Sequence, residues 1–582
     1  MFHNKSVSRK ALILFLSLTL LLVSFYAVSA EEHSVNVSRV SVSDSGVVTS
    51  AHSLASKAGA EILSQGGNAV DAAVATAFAL SVVEPYASGL GGEGVATIGL
   101  ANGEDVVVDY KSMAPGHVTE ETNIDVNYGA EGSAVPGVVA GLAHSLKEYG
   151  TMELDQVLQP AIDLARNGFP LDEVFHDTLS AHGFYEKMID NPEKFNLETV
   201  SKRFLEGGLL PEVGTTIKNP ELADALELIA EEGASAFYEG KIAEAISEAT
   251  EGWIGKEDLK KYSPVEREPI ASDYRNYMVL SPPPPVGGAI VVEELNILEN
   301  FNLAHLGRYD HPLAVHLISQ ATMLGSRDGA TFRADPDFTD IPLKGLASDE
   351  FATERAKLIN MGKAMEERQF DVPQGNPGGF KPEEKSKEEA NSPSTTQISV
   401  VDEEGNAVSM TNTNSYFWGS QLFVEEYGFV LNNEIHNFTP AKYETLNTIA
   451  PYKRPRTVIA PTIVRRNDGS VYLVVGTPGA GRITTTIVET IVNMVDFNMP
   501  LTEAIKSPKF TSRLWYDELR MEKGYPEETL EELRNMGHKI KLYPKLDLYF
   551  GGVNAVQLTD NGLMVGVGSY RRDGAAATAE EK

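Results

Sequence analysis

Two threonines occupy positions from which a hairpin brings their hydroxyls together. Thr395 closes a charged stretch rich in glycine and proline, and Thr413 lies further along the β-rich segment that follows. Between them, Asp402-Glu-Glu-Gly405 suits a type I turn whose glycine takes the left-handed conformation, giving a three-residue loop with a bulge. Asp402 then pairs with Asn406. Carried outward, that register sets Thr395 opposite Thr413, with Cβ atoms about 5 Å apart. Read alone the pair is ordinary, because threonines favour strands and cross-strand threonine pairs are common. The chain has no cysteine, which excludes thiol nucleophiles, disulfides and thiolate metal sites, and no convincing Ser-His-Asp order is present.

A glycine-rich turn, Ser88-Gly-Leu-Gly-Gly-Glu-Gly94, invites comparison with a phosphate cradle. It lacks the Lys-Ser/Thr ending, and its order of helix, glycines and strand is the reverse of a nucleotide loop. Nucleotide binding is therefore rejected. The elements around these candidates follow from local signals. The pattern predicts a helix over Leu54–Gln65, closed by Gly66-Gly67. A second helix over Ala69–Val83 is capped by Asn68 and stops before Pro85. It is apolar nearly all round and should be buried. Strands are predicted at Val95–Gly99, Asp105–Tyr110, Thr396–Asp402, Ala407–Thr413, Ser470–Gly476 and Val553–Thr559, and the stretch from Gly132 to Ala364 is read as mainly helical. Asp371–Ser394 is expected to be an exposed, poorly ordered linker, because its apolar residues are few and Lys381–Ala390 is almost wholly charged.

The net charge of −33 argues against nucleic acid or anionic lipid as a partner, so an anionic substrate needs a local basic pocket. Residues 1–30 read as a signal peptide. Lys5, Arg9 and Lys10 precede an apolar run from Ala11 to Val28, and Ala27-Val-Ser-Ala30 has a small-x-small ending. The mature protein, about 550 residues, is expected to be secreted, extracellular or periplasmic. It should have no stable membrane span, since no other stretch approaches the ~18–20 apolar residues required. A lipobox is excluded with the cysteines.

Thr395-Thr-Gln-Ile-Ser-Val-Val-Asp-Glu-Glu-Gly-Asn-Ala-Val-Ser-Met-Thr-Asn-Thr413 resembles the autocleavage and nucleophile segment of γ-glutamyltransferases. The similarity extends through Gly66-Gly-Asn-Ala-Val-Asp-Ala-Ala73, Val135-Pro-Gly-Val-Val-Ala-Gly141, Leu431-Asn-Asn433, Lys453-Arg-Pro455, Ala460-Pro-Thr462 and Gly476-Thr-Pro-Gly-Ala480, in the family's order. The resemblance implies an α/β fold, the four-layer αββα sandwich of N-terminal-nucleophile hydrolases. It implies self-cleavage between Ser394 and Thr395, leaving a large subunit (31–394, with the linker 371–394) and a small catalytic subunit (395–582) associated as a heterodimer. Thr395 becomes the nucleophile, and its own α-amino group, with a reference pKa near 8, serves as the base. Thr413 holds the Thr395 hydroxyl, and the N–H groups of Gly479 and Ala480 form the oxyanion hole. Ala480 stands where a second glycine is usual, so ordinary backbone angles are expected there. No cofactor and no metal are implied.

For the substrate pocket, the family's carboxylate-binding arginine falls on Lys111, which keeps the charge and loses the fork. The amine-binding pair falls on Glu434 and on Asn437, where aspartate is usual. Thr457-Val458 replaces paired serines, and Ser415 stands where many members have asparagine. These departures, with Arg456-Thr457, Phe550-Gly-Gly552 and Gly568-Ser-Tyr-Arg-Arg-Asp-Gly574, resemble the branch that handles poly-γ-glutamate, including the capsule-anchoring transpeptidase. The short segment between Asn437 and Lys453 suits an open site. Arg454, Arg456, Arg571 and Arg572 are expected to line a polyanion's path, although Arg571-Arg572 reads equally well as a solvated pair. The donor is thus a small or polymeric γ-glutamyl compound, glutathione-like or poly-γ-glutamate, and the acyl group passes to water or an amine. Two alternatives stay open: a cephalosporin-type acylase on the same fold, and an uncleaved relative that binds γ-glutamyl compounds without turnover.

Overall fold

The computed structural model describes residues 35–180, 197–365, 372–380, 394–513 and 517–579. The expected signal peptide, and residues 381–393 of the expected linker, lie outside them. Among the described residues no helix is long and apolar enough to cross a membrane.

The second predicted helix shows why its neighbourhood is rigid. Helices α1 (Ser53–Ser64) and α2 (Ala69–Val83) are separated by the Gly66-Gly67 turn. Asn68 Oδ1 accepts from the N–H groups of Val70 and Asp71 at 2.9 and 3.1 Å, while Asp71 Oδ2 accepts from Asn68 N–H at 2.7 Å. This reciprocal cap satisfies donors that the first turn leaves without partners. With no polar stripe to expose, α2 is buried along its whole length.

Two antiparallel sheets lie face to face. The first runs in the order β1 (Val35–Ser38), β15 (Ala575–Ala579), β3 (Gly46–Ser50), β9 (Thr396–Asp402), β10 (Ala407–Thr413), β4 (Glu93–Gly99), β5 (Asp105–Tyr110) and β6 (Val265–Arg267). The second runs β2 (Val40–Ser43), β14 (Met564–Val567), β13 (Asn554–Leu558), β12 (Val471–Gly476), β11 (Thr462–Arg466), β8 (Tyr277–Ser281) and β7 (Ile270–Tyr274). Alternation along β9 and β10 divides their side chains between two layers. Ile398, Val400, Val408 and Met410 join a core with α1, α2, α3 (Val138–Tyr149) and α4 (Leu154–Asn167). Val401 and Ala407 pack instead with Val474 and Val556 of the second sheet, and Ser399 Oγ reaches the Asn554 carbonyl at 2.9 Å. The far side of the second sheet carries α5 (Gly288–Glu299), α6 (Pro312–Phe332) and α7 (Ile483–Val495). The fold is the expected αββα sandwich, and its central strands β9 and β10 are buried on both faces because each sheet is covered twice.

One expectation is extended and one corrected. The stretch from Gly132 to Ala364 also supplies β6, β7 and β8. These strands are short and lie at or near sheet edges, so their hydrophobic period is too brief to announce them. The first part of the expected exposed linker is packed: Val372 is buried, Gly375 N–H donates to Asp328 Oδ1 at 2.6 Å, and Arg327 Nη2 meets Gln374 Oε1 at 3.2 Å.

Candidate active site

The hairpin of β9 and β10 has the register that its turn dictates. Thr396 pairs with Asn412 and Val401 with Ala407, Asp402 N–H donates to the Asn406 carbonyl at 3.1 Å, and Gly405 takes φ 88°. At the open end the Thr395 hydroxyl donates to Thr413 Oγ1 at 3.0 Å. The same oxygen accepts the Ser415 N–H at 2.8 Å, so Thr413 is held by backbone as it holds Thr395. Thr395 is buried, with φ 118°, a conformation that costs a β-branched residue on the order of 1–3 kcal/mol. Its carbonyl accepts from Arg572 Nη1 at 2.7 Å, and Ser394 Oγ donates to the Ala87 carbonyl at 3.2 Å. The residues on both sides of the Ser394–Thr395 bond are thus held.

Thr395 and Thr413 line a cavity with Ser415, Tyr416, Glu434, Asn437, Arg456, Thr457 and Ala480. Asn432 fixes the backbone at Glu434: its Nδ2 donates to the carbonyls of Gly91 and Ala134 at 2.8 and 2.9 Å, and its Oδ1 accepts Glu434 N–H at 3.1 Å. A Cβ on Gly91 would stand 2.2 Å from the Val430 carbonyl, so this glycine permits close backbone packing. Asn433 Oδ1 accepts Tyr416 N–H at 3.0 Å, which joins the two edges of the cavity. Asn437 Nδ2 bridges Glu434 Oε2 at 2.8 Å and Ser415 Oγ at 3.2 Å.

Ala480 departs from expectation, with φ 48° rather than ordinary angles. The chain leaves β12, turns at Gly479 (φ 137°), and closes a 3-10 turn in which Arg482 N–H donates to the Gly479 carbonyl at 3.1 Å before α7 begins. That reversal demands left-handed residues, and a methyl group is small enough to bear the cost of roughly 1 kcal/mol.

The expected basic residues divide sharply. Arg456 lines the cavity, as does Arg333, which sequence reasoning did not single out. Arg333 follows α6, and nothing in the local pattern of Phe332-Arg-Ala-Asp335 distinguishes it. Arg454 is instead engaged with Asp109, Asp335 and Asp337 and with the Ser263 carbonyl. Arg571 is neither a polyanion contact nor solvated: it is buried against Glu522 at 2.5 Å and the carbonyls of Ile505 and Ser507. Arg572 is buried on the Thr395 carbonyl; burial pulls its pKa down, and Glu84 and Tyr86 oppose that. Lys111 is fully buried beside Glu93 and Glu434 and is not among the cavity residues. Three of the four arginines placed on a polymer's path therefore serve the protein's own ion pairs and carbonyls.

A family model described as gamma-glutamyltranspeptidase matches residues 55–579. The glutathione hydrolase proenzyme of Escherichia coli (strain K12) is 36% identical over 548 residues, 90% of each chain. The acylase ACY 1 proenzyme of Pseudomonas sp. (strain SE83) is 35% identical over 551 residues, 91% of this chain and 92% of that protein. Among solved structures, a cephalosporin acylase from Bacillus halodurans aligns with a TM-score of 0.83 at 27% identity, covering 94% of this chain and 98% of that one.

Proposed function

The chain belongs to the gamma-glutamyltranspeptidase family of autoprocessed γ-glutamyl acyltransferases and hydrolases, and on that premise we propose that Thr395 is its nucleophile, freed by cleavage of the Ser394–Thr395 bond. The observation that carries this reading is the strained Thr395, its hydroxyl held at 3.0 Å on Thr413 at the wall of a cavity. In the precursor, Thr395 Oγ attacks the Ser394 carbonyl carbon. The peptide C–N bond breaks as the nitrogen takes a proton, and water then hydrolyses the resulting ester. Cleavage removes the constraint on φ and liberates an α-amine.

In the processed enzyme that amine takes the hydroxyl proton as Oγ attacks the γ-carbonyl of the donor. The Gly479 and Ala480 N–H groups receive the developing oxyanion. The proton passes to the leaving amine, and water or a second amine resolves the acyl ester. A γ-glutamyl group carries an ammonium and a carboxylate on one carbon, and the cavity offers both signs of charge in Glu434 and in Arg333 with Arg456. The donor is a small, glutathione-like γ-glutamyl amide rather than a polymer, because Arg454, Arg571 and Arg572 are internally engaged. Likeness to acylases supports a second reading, an acyl amide of cephalosporin type, which differs in needing no ammonium at Glu434. The leader at residues 1–30 would deliver the protein outside the cytoplasm.

Denaturing electrophoresis should show two fragments, with the smaller beginning at Thr395 and the larger beginning after Ala30. Thr395→Ala should give one band and no release of anilide from γ-glutamyl anilide. Normal cleavage in that variant would place the nucleophile elsewhere.

A further inference from the structure

Arg39 stands where the chain leaves one sheet for the other. Before it, β1 pairs with β15 from Val35 opposite Ala579 to Ser38 opposite Ala576; after it, β2 pairs with β14, starting with Val40 opposite Val567. The connection from β14 to β15, residues 568–574, crosses between the same two sheets beside it. Arg39 holds most of that loop. Its carbonyl accepts the Gly568 N–H at 2.9 Å, and its Nη1 donates to the Ser569 carbonyl and, at 2.7 Å, to the Arg572 carbonyl. The guanidinium also lies over Tyr570, 5.5 Å from the ring centre, a contact that suits its planar charge.

The loop is tight at its base, so a hold on one arm is passed along it. A Cβ on Gly568 would stand 2.3 Å from Ala575 N, and one on Gly574 would stand 2.3 Å from Ser569 N, so the two arms close directly on one another. Asn554 Oδ1 accepts the Ser569 N–H at 3.1 Å, and Ser569 Oγ accepts the Arg571 N–H at 3.0 Å. Arg572 leaves this loop to donate from Nη1 to the Thr395 carbonyl at 2.7 Å. Holding that carbonyl fixes the backbone rotation of Thr395, while Thr413 holds its hydroxyl at 3.0 Å. Together they set the direction from which Oγ approaches a carbonyl carbon, and rate falls steeply when such an approach is misaligned.

We propose that Arg39 is a positioning residue for Thr395: it fixes residues 568–572 so that Arg572 holds the Thr395 carbonyl in the geometry that self-cleavage and turnover need. This rests on the reading of Thr395 as the nucleophile. The edge strands β1 and β2 thereby complete the site, and self-cleavage follows their seating beside β15 and β14.

Self-cleavage is timed on denaturing gels, and kcat and KM for γ-glutamyl anilide are measured on the processed protein. Arg39→Met should slow self-cleavage about tenfold, the worth of one hydrogen bond passed on to the barrier, and should lower kcat while KM holds. Arg39→Lys keeps a charged donor but loses the planar group over Tyr570, so its rates should lie between. Ser41→Ala removes a different hydrogen bond of the same strands, to the Ala576 carbonyl at 3.1 Å and away from the loop, and should leave the cleavage rate unchanged. In an Arg572→Met background, adding Arg39→Met should slow cleavage by less than about twofold, because its effect passes through Arg572. Wild-type cleavage in Arg39→Met overturns the assignment, as does equal slowing in Ser41→Ala, which marks a general loosening of the sheet edges; both readings stand without the Arg572 variant. Full multiplication of the two losses in the double variant overturns it as well. Normal cleavage in Thr395→Ala overturns the nucleophile reading and this assignment with it.

Discussion

Thr413 Oγ1 accepts two hydrogen bonds, from the Thr395 hydroxyl and from Ser415 N–H. Thr413→Val keeps the shape and removes the acceptor. Both self-cleavage and kcat for γ-glutamyl anilide should fall about tenfold, the worth of one neutral hydrogen bond; unchanged time courses would leave Thr413 with packing alone. Glu93 allows a test through pH. Burial first, and then Glu434, push its carboxyl up to about 8, while Lys111 and Ser112 oppose the rise. A folded-state pKa above the ordinary carboxylate value means that the native state binds the extra proton. The stabilisation is complete at acid pH and is lost as pH rises through about 8. Glu93→Gln mimics the protonated form, so its Tm relative to the wild type should be higher at pH 9 than at pH 6. A pH-independent difference would show that Glu93 is ionised throughout.

The turn of the active hairpin is hydrogen-bonded to the helical layer through Asp402. Asp402 Oδ2 accepts Ala69 N–H at the start of α2 at 2.8 Å, and Oδ1 accepts Asn406 N–H at 2.8 Å. The carboxylate thus serves the turn and the positive end of a buried helix together. Asp402→Ala leaves the buried Ala69 N–H without this acceptor and should destabilise the protein by about 1–3 kcal/mol, read as a lower Tm. Wild-type stability in this variant would mean that the sheet fixes the hairpin without its turn. At the other end of the site, the left-handed Gly479 and Ala480 matter because strand β12 must reverse into α7 within a few residues.

Cleavage at Thr395 would divide a molecule whose sheets interleave both parts. In the first sheet β9, β10 and β15 come from after Thr395 and lie among β1, β3, β4, β5 and β6 from before it; the second sheet mixes both parts in the same way. The two fragments should therefore co-elute under native conditions and part only in denaturant, and separate native peaks would contradict this architecture. By itself the sequence determined the hairpin register, the Asn68-capped buried helix and the pairing of Thr395 with Thr413, because turn chemistry and side-chain period act over a few residues. The motif resemblance extended that to the αββα sandwich. Only the tertiary structure decided what each charge meets. Lys111 meets Glu93 and Glu434, Arg571 meets Glu522, and Arg454 meets a cluster of aspartates, whereas Arg333 comes from the end of a distant helix to join Arg456. Residue type gives a charge, but the fold alone sets which opposite charge is buried beside it. In a low-dielectric interior that pairing determines whether a cation binds substrate or serves the protein itself.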